Sequence, residues 1–328
     1  MLKMNETIQW LLESHAWVVY NTKIFLLNQD RESESIQMIR KKMIEDSKIQ
    51  SLLAEASQWP GLPLKRHNDA SHILHKLAFL ADIGLSSQDS SIREIVEKIF
   101  AQQALDGCFQ VLANIHPRYG GTGEDELGWM LCDSPLILYS LAKFGYREDS
   151  RVIKSAKTLI ELIRENGWPC KVSENFGKFR GPGRKDDPCP YATLISLKAL
   201  SQFPSLKDSK ACRIGASTIL ELWDQRNERR PYLFAMGSSF KKLKAPLIWY
   251  DILNVADTLT NFPFLGTDDR LHEIIKLVRS KANKDGSYLP ESIWTAWKDW
   301  DFGQKKVPSP WLTFLVLNVL RKFENIQQ

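Results

Sequence analysis

Residues 166–201 read NGWPCKVSENFGKFRGPGRKDDPCPYATLISLKALS. The stretch runs from a Gly-Trp turn through a basic, glycine-rich loop to an Asp-Asp-Pro step, and then into a helix with almost no charge on any side. A helix that is apolar all round must be covered on every side, whereas a helix with one apolar face can lie at the surface. The same order of parts recurs along the chain, so this stretch decides the expected fold.

The chain alternates between two kinds of predicted helix. One kind carries apolar residues on one face at helical spacing, and the other is apolar all round. A turn with an aromatic residue and a polar loop separate them, and the whole unit recurs roughly every 55 to 65 residues, about six times. The first segment, residues 4–27, has an amphipathic start followed by a run that is apolar nearly all round. The later one-faced segments are residues 34–58, 91–104, 149–165, 210–223 and 268–279, and the later apolar segments are residues 70–85, 132–145, 191–200, 245–259 and 308–320.

This order predicts an all-α fold in which an outer ring of helices covers an inner ring. No strand-like alternation competes with the helical pattern. About six helical hairpins that close on themselves form an (α/α)6 toroid, which needs no capping repeats of the kind that open solenoids require. We therefore expect a single α/α-toroid domain over residues 1–328, with an open helical solenoid as the alternative.

Composition and charge exclude several classes of protein. The chain is 43% apolar and 25% charged, as globular proteins are, and its net charge of +5 is too small to imply nucleic acid by itself. The five cysteines form no C-x-x-C pair, which argues against a disulfide framework and for a reducing compartment. No segment has the pattern of a signal peptide, and no apolar run approaches the ~18 residues of a membrane span. We expect a cytoplasmic protein without a transmembrane segment.

Short motifs at the turns resemble those of a known family. Residues 103–109 read QALDGCF, which is similar to the Q-x-x-D-G-x-W repeat of squalene and other terpenoid cyclases, with Phe in the place of Trp. Residues 285–288 (DGSY) match the second half of that motif, and residues 166–168 (NGW) are a looser version. The apolar helices, such as PYATLISLKALS at residues 190–201, resemble the inner helices of those cyclases and of protein prenyltransferase β subunits.

The resemblance implies a toroid that acts on an isoprenoid-like substrate as a cyclase or a transferase. Class II cyclases carry D-x-D-D at the head of an inner helix, with the third position as the Brønsted acid. The matching position here is Asp186, but Arg184 stands in the place of the first Asp, so the chain is a divergent member without the family's catalytic motifs. Asp133 and Asp187 are the further candidate catalytic carboxylates. Positive neighbours favour an ionised carboxylate, which is the wrong form for a proton donor.

An alternative assigns the Asp-Asp-Pro step to the scaffold. Asp is a preferred helix cap and Pro a preferred first helical residue. On this interpretation Asp187 caps the apolar helix and Pro188 forms its first turn.

A metal site is the second possibility that the resemblance raises. Protein prenyltransferases bind zinc through Asp, Cys and His. The available donors here are Cys132, Asp133, Cys189, His67, His72 and His75, and the weak candidates among them are Cys132, Cys189, His72 and His75. His72 and His75 are three residues apart on an apolar helix, as ligands can be, although such a pair is more often packed and hydrogen-bonded. There is no D-x-C motif, so no cofactor is expected, and zinc or magnesium remains an alternative.

Basic residues recur in the loops that precede the apolar helices. If those helices run parallel, the loops meet at one rim, together with the positive ends of the helix dipoles. Such a rim would attract a phosphate, diphosphate or carboxylate, and aromatic residues at the helix starts would line an apolar well below it. The candidate ligand-binding residues are Lys65, Arg66, Arg180, Arg184, Lys185, Lys244, Lys305, Trp129, Tyr191, Trp249 and Trp311.

Three functions follow from these features. The first is a terpenoid cyclase- or prenyltransferase-like protein that binds, and in the enzymatic case transforms, an anionic amphiphile such as an isoprenyl diphosphate. The second is a non-catalytic toroid that binds an anionic ligand or a partner protein. The third is a carbohydrate-active toroid enzyme with paired carboxylates. Nucleic acid is not an expected partner, because no recognised motif is present. The carboxylates available to the third function are Asp125, Asp133, Asp186, Asp251 and Asp301.

Overall fold

A computed structural model describes the backbone of residues 2–328 and the side chains of residues 5–328. The chain belongs to the all-α class, as predicted. The α-helices, in chain order, are α1 (Leu2–Leu12), α2 (Ala16–Asn21), α3 (Glu34–Glu45), α4 (Ser47–Ala56), α5 (Ile73–Asp82), α6 (Ser90–Phe100), α7 (Ser134–Leu141), α8 (Ser150–Glu161), α9 (Pro190–Leu200), α10 (Lys210–Asp224), α11 (Ile252–Leu259), α12 (Asp269–Arg279) and α13 (Pro310–Ile326). Two short π-helices, Thr22–Leu26 and Ala142–Tyr146, continue α2 and α7.

The expectation that the chain contains no strands is wrong. Strand β1 (Val111–Asn114) pairs antiparallel with β2 (Asp125–Gly128). Alternate residues of β1 are buried. Both strands are four residues long, too short for an alternating pattern to stand out in the sequence.

The chain forms two compact units. The first unit comprises Met1–Ser51 and Ser238–Gln328, and the second comprises residues 52–237. The expected single domain over residues 1–328 stays a prediction.

The second unit has a core of apolar helices. Helix α7 packs against α5 and α9, and α10 packs against α9. Every residue of α7 and α9 is buried, including the Lys198 side chain. The prediction that helices apolar all round are covered on every side is therefore confirmed here. Helix α6, by contrast, buries one face, through Ile92, Ile95, Val96 and Ile99.

The first unit packs α2 against α3, and α11 and α13 against each other and α12. An aromatic cluster extends this core. Trp300 lies 5.1 Å from Trp17 and 5.5 Å from Trp297 between ring centroids, and Phe302 lies 5.6 Å from Trp300. These tryptophans serve core packing.

Several helix boundaries differ from the sequence prediction. The expected helix over residues 34–58 is interrupted at Asp46, whose carboxylate accepts a hydrogen bond from the backbone N–H of Lys48. The apolar segment 245–259 becomes helical at Ile252, because Asp251 caps that helix by accepting from the N–H of Asn254.

The alternative cap of α9 is also wrong. The helix begins at Pro190, and Cys189 is its N-cap. The backbone N–H of Cys189 donates to the carbonyl of Trp168 at 2.8 Å, which holds Cys189 in an extended conformation and starts the helix after it. Asp187 and Pro188 therefore lie in the loop.

The turn motifs form a repeated structural device. In the first copy, Asp106 accepts from the N–H of Cys108 at 3.0 Å, and Gly107 has a φ of +97°, a region that favours glycine. The side chain of Gln103 donates to the Gly107 carbonyl and to the Arg151 carbonyl, both at 2.8 Å, which ties the turn to α8. The residues of the motif thus build the scaffold.

The copy at residues 285–288 has the same geometry. Asp285 accepts from the N–H of Ser287 at 3.0 Å, and Gly286 has a φ of +84°. The aromatic residues that follow the three turns, Phe109, Trp168 and Tyr288, are all buried. Among the helices of residues 2–328, none is both long and apolar enough to cross a membrane.

Candidate functional site

The starts of α7 and α9 carry the polar side chains of the candidate site. Asp133 is the N-cap residue of α7 and Cys189 is that of α9, and the two helices are neighbours. Asp133 is completely buried, yet its side chain caps no backbone N–H of α7. A carboxylate in this position needs another partner, since an unpaired buried charge is costly.

His67 is that partner. Its Nδ1–H donates to both oxygens of Asp133, at 3.1 and 2.9 Å, while about a quarter of its side chain (23%) remains exposed. Burial of the ring opposes its charged form, but the charge of Asp133 and this hydrogen bond outweigh burial and raise the pKa of His67 to about 9. The His67 ring is therefore an imidazolium at neutral pH.

The other two histidines of this region hold the backbone in place. The Nε2–H of His75 donates to the carbonyl of His67 at 2.9 Å, and that of His72 donates to the carbonyl of Leu62 at 2.9 Å. His72 also caps α5, because its Nδ1 accepts from the N–H of Leu74. Burial lowers the pKa of His75 to about 4, so this ring is neutral. Both rings act as struts for the loop that carries His67.

Three cysteines lie beside the pair. The sulfur of Cys132 is 3.7 Å from that of Cys189, and both thiols are buried. Cys170 is partly exposed, and its sulfur accepts a hydrogen bond from the backbone N–H of Gly181 at 3.2 Å. Cys132 and Cys170 are also near enough for each to shift the pKa of the other.

The contacts give the cysteines different acidities. The hydrogen bond from Cys132 and that from the Gly181 N–H stabilise a thiolate and outweigh burial, so the pKa of Cys170 falls to about 6. The same bond, together with that to Cys189 and with burial, raises the pKa of Cys132. Cys170 is therefore a thiolate at neutral pH beside a protonated Cys132.

The basic loop between Cys170 and α9 is held through its backbone. Hydrogen bonds reach the main-chain carbonyls of three successive loop residues, from Tyr232 to Arg184, from Arg164 to Lys185 and from Asn166 to Asp186. The side chains of those three loop residues are exposed. The predicted acid Asp186 thus faces solvent.

Asp187 and the remaining basic candidates of the second unit also lie at the surface. Asp187 pairs with Arg229 at 3.3 Å. Lys65 and Arg66, which directly precede His67, are exposed, as is Arg180. Exposed cations thus adjoin in sequence the partly exposed His67 and Gly181, the residue that donates to Cys170.

The aromatic candidates of this unit are buried. The indole N–H of Trp129 donates to Asp106 at 2.7 Å, which links it to the turn motif. Tyr191 lies in the first turn of α9 and is 1% exposed. Trp129 is therefore committed to the scaffold.

The first unit holds the other candidates. Lys244 lies 4.0 Å from the Asp251 carboxylate and 4.0 Å from the ring centroid of Trp294, and burial lowers its pKa. Trp249 is partly exposed and Lys305 is exposed.

The carboxylate of Asp301 has a capping role. It accepts from the hydroxyl of Ser309 at 2.5 Å and from the N–H of Trp311 at 3.0 Å. Trp311 itself is buried and stacks on Phe314, with 5.2 Å between the ring centroids. Asp125, the remaining carboxylate considered for carbohydrate chemistry, accepts a hydrogen bond from Asn114 within the β-pair.

No three His, Cys, Asp or Glu donors of the described residues are arranged to hold a metal ion. His72 and His75, two of the predicted ligands, use their Nε2 atoms on backbone carbonyls. The other two, Cys132 and Cys189, contact each other through sulfur.

Sequence reasoning named His67, Asp133, Cys132 and Cys189 but did not place them together, and it missed Cys170. The signal was a Cys or Asp directly before each of two apolar helices. Cys170 had no such marker, because segments far apart in the chain build its surroundings.

Comparisons with known proteins add little. No protein-family model matches the chain, and no curated protein matches it. A solved structure described as "Crystal structure of a protein from Actinoplanes" is similar over 94% of this chain and 90% of that chain, with 13% identity and a TM-score of 0.42. A similarity this weak carries no argument about fold or function.

Proposed function

We propose that this chain is a terpenoid cyclase- or prenyltransferase-like protein with an (α/α)6 toroid that binds an anionic amphiphile, such as an isoprenyl diphosphate, and acts on it. The observation that carries the proposal is the buried Asp133–His67 pair at the start of α7. This pair joins a proton donor to the head of a helix that is apolar and buried along its whole length.

The pair favours one kind of acid chemistry. Asp133 holds Nδ1 of His67, so Nε2 carries the proton that can be transferred. An acid whose pKa lies near 9 stays protonated at neutral pH, but it is too weak to protonate a carbon–carbon double bond. It can donate to an oxygen that gains negative charge, as on a departing diphosphate. The pair therefore supports chemistry that begins with loss of diphosphate over cyclisation that begins with olefin protonation.

Charge supports binding of such a headgroup. Lys65 and Arg66 are exposed and adjoin His67 in sequence, and Arg180 adjoins Gly181. Ammonium and guanidinium groups make strong charge-assisted hydrogen bonds to phosphate oxygens. Asp186 and Asp187, the other predicted acids, are exposed and ion-paired, respectively, and the His67 ring that Asp133 holds takes their place as the proton donor of the proposal.

The test is calorimetric titration of the full chain with farnesyl diphosphate, with inorganic diphosphate and farnesol as controls for headgroup and tail. Release of diphosphate is measured in parallel. We expect farnesyl diphosphate to bind more tightly than either control, and D133N to lose release while the matched exposed variant D186N keeps it. Absence of both binding and release from the wild-type chain would refute the proposal.

A non-catalytic binding function is supported by a different observation. The loop bearing Arg184 and Lys185 is fixed through its carbonyls and presents both side chains to solvent, as a preformed anion-binding surface would. Binding without diphosphate release, weakened by salt and by the R184A/K185A variant, would favour this function. An affinity unchanged by that variant would count against it. The carbohydrate-active alternative stays a prediction.

A further inference from the structure

The three cysteines near His67 have no part in the function proposed above, and their arrangement indicates a chemistry of its own. The segment that contains Cys132 pairs with the segment that contains Cys170 through an antiparallel bridge between Met130 and Val172. Next to this bridge the N–H of Leu131 donates to the carbonyl of Lys171, and these two residues adjoin Cys132 and Cys170 in sequence. The backbone therefore brings the two cysteine-bearing segments together.

Two backbone hydrogen bonds hold these segments together. They run from the Leu131 N–H to the Lys171 carbonyl (3.0 Å) and from the Ser173 N–H to the Trp129 carbonyl (2.8 Å), on either side of the Met130–Val172 bridge. The pairing ends at Leu131, because the Asp133 N–H turns back to the Met130 carbonyl at 3.0 Å. Cys132 and Cys170 thus adjoin a hydrogen-bonded pair of residues, which favours the approach that a disulfide needs, with α-carbons roughly 4.4–6.8 Å apart.

The two thiols differ in the way that a nucleophile and its resolving partner must. Cys170 is partly exposed and accepts the Gly181 N–H, which stabilises negative charge on its sulfur. Cys132 is buried, protonated and in contact with Cys189. An accessible thiolate next to a protected thiol is the arrangement of a redox-active cysteine pair.

We propose that Cys170 is a hydroperoxide-reactive thiolate whose oxidised form is resolved by Cys132 as an intramolecular disulfide. In the first step the Cys170 sulfur attacks the peroxide, the O–O bond breaks, and a sulfenic acid and an alkoxide or hydroxide form. The sulfur loses two electrons and the peroxide gains them, and a solvent proton neutralises the leaving oxygen. In the second step the Cys132 sulfur attacks the sulfenic sulfur, the S–O bond breaks, and the Cys132 proton leaves with the hydroxide as water.

The remaining cysteines provide internal controls. Burial raises the pKa of Cys108 to about 12 and that of Cys212 to about 11, so both stay protonated and inert at neutral pH. Cys189 is buried and its sulfur lies 3.7 Å from that of Cys132. We expect Cys170 to react with iodoacetamide at pH 7 at least about tenfold faster than Cys212.

The experiment treats the reduced full chain with hydrogen peroxide in the presence of a chelator, quenches with catalase, blocks free thiols and digests with trypsin without reduction. Cys132, Cys170 and Cys189 fall on separate tryptic peptides, residues 119–143, 165–171 and 186–198. We expect a linked pair of the first two peptides, lighter than their sum by two hydrogens and released by dithiothreitol.

Variants assign the two roles. C170S should abolish the linkage, C132S should leave a sulfenic acid on Cys170 that dimedone traps, and C212S should behave as the wild type. A Cys170–Cys189 linkage would overturn the role of Cys132. Absence of any linkage in the wild-type chain, with Cys170 no more reactive than Cys212, would overturn the proposal, and this result needs no variant to fold.

Discussion

Helix α9 of the second unit and helix α13 of the first begin in the same way. Each starts with a proline that follows an N-cap residue in extended conformation, Cys189 in α9 and Ser309 in α13. The Cys189 sulfur accepts the N–H of Ala192 at 3.5 Å, and the Ser309 hydroxyl accepts the N–H of Leu312 at 3.0 Å. Each cap thus satisfies an N–H group that the helix leaves unpaired.

The likeness extends to the turn before each helix. The hydroxyl of Thr193 accepts the N–H of Trp168 at 3.1 Å, and that of Thr313 accepts the N–H of Tyr288 at 2.9 Å. In return, the carbonyls of Trp168 and Tyr288 accept the N–H of the N-cap residue. The same four-part device fixes a buried aromatic residue to the start of an apolar helix in both units.

The side chains around the two starts differ. In α13 the cap hydroxyl donates to Asp301, which also accepts the N–H of Trp311, so the carboxylate is used for capping. In α9 the cap is a thiol beside Cys132, and the neighbouring carboxylate, Asp133, is held by a histidine. The two helix starts therefore share one backbone arrangement. The side chains at and beside the cap positions decide whether a start serves as scaffold or forms the candidate site.

Replacing the carboxylates of Asp133 and Asp301 should show the largest difference in stability between the two helix starts. D133N removes the charge that holds the His67 imidazolium, so we expect a loss of about 3 kcal/mol in the free energy of unfolding at pH 7. D301N keeps an oxygen that can accept from Ser309 and Trp311, and we expect a loss of about 1 kcal/mol. Urea denaturation of both variants measures the difference, and equal losses would contradict a special role for the Asp133–His67 pair.

The pH dependence of the free energy of unfolding should show the next largest effect of the candidate site. Because the pKa of His67 is raised to about 9 in the folded chain, its contribution to stability is complete below pH 6.5 and is lost as the pH rises to 9. The pKa of Cys170 is lowered to about 6, so its contribution is complete above pH 9 and is lost as the pH falls through 6. Between pH 6.5 and 9 the two slopes oppose each other in the wild-type chain.

Removing Cys170 should expose the His67 slope. In C170S we expect the free energy of unfolding to fall by up to about 1.4 kcal/mol per pH unit between pH 6.5 and 9, on the order of 3 kcal/mol in all, relative to the wild type. C212S is the matched control, because Cys212 stays protonated over this range. Parallel pH profiles of C170S and C212S would show that Cys170 does not oppose the pH dependence that His67 contributes.

The shared threonines should behave alike. T193V and T313V each remove the acceptor of a buried backbone N–H, and we expect each to lower the free energy of unfolding by about 1–3 kcal/mol. Because the device is the same in both units, the two losses should agree to within about 0.5 kcal/mol. A large loss in one variant alone would show that the two helix starts are not equivalent. Thermal and urea denaturation give the values.

The sequence predicted the parts of the fold that depend on local pattern. The all-round apolar runs gave α7 and α9, and the Asp-Gly turns before buried aromatic residues were found where the motifs stood. The apolar segment 191–200 was found to within one residue, whereas the alternative start at Pro188 lies two residues too early. Both Pro188 and Pro190 suit a first turn, and the hydrogen bond from the Cys189 N–H to the distant Trp168 carbonyl decides between them. Local sequence contains no information about that bond.

The candidate site was predicted in part for the same reason. Asp133 and Cys189 could be found because they precede apolar helices. Their partners could not, because His67 is 66 residues from Asp133, and Cys170 comes near Cys132 only through the isolated bridge between Met130 and Val172. The lowered pKa of Cys170 arises from hydrogen bonds that form only when the chain folds.

Exchanging the two N-cap residues, Ser309 and Cys189, should have the smallest effect on stability. S309C replaces a hydroxyl that donates to Asp301 by a weaker donor, and we expect it to lower the free energy of unfolding by about 1 kcal/mol. C189S introduces a better cap but loses the sulfur contact with Cys132, so its net change should stay within about 0.5 kcal/mol. Because Cys189 is outside the proposed redox pair, C189S should still form the Cys132–Cys170 disulfide. If the disulfide fails to form in C189S, Cys189 takes part in the reaction.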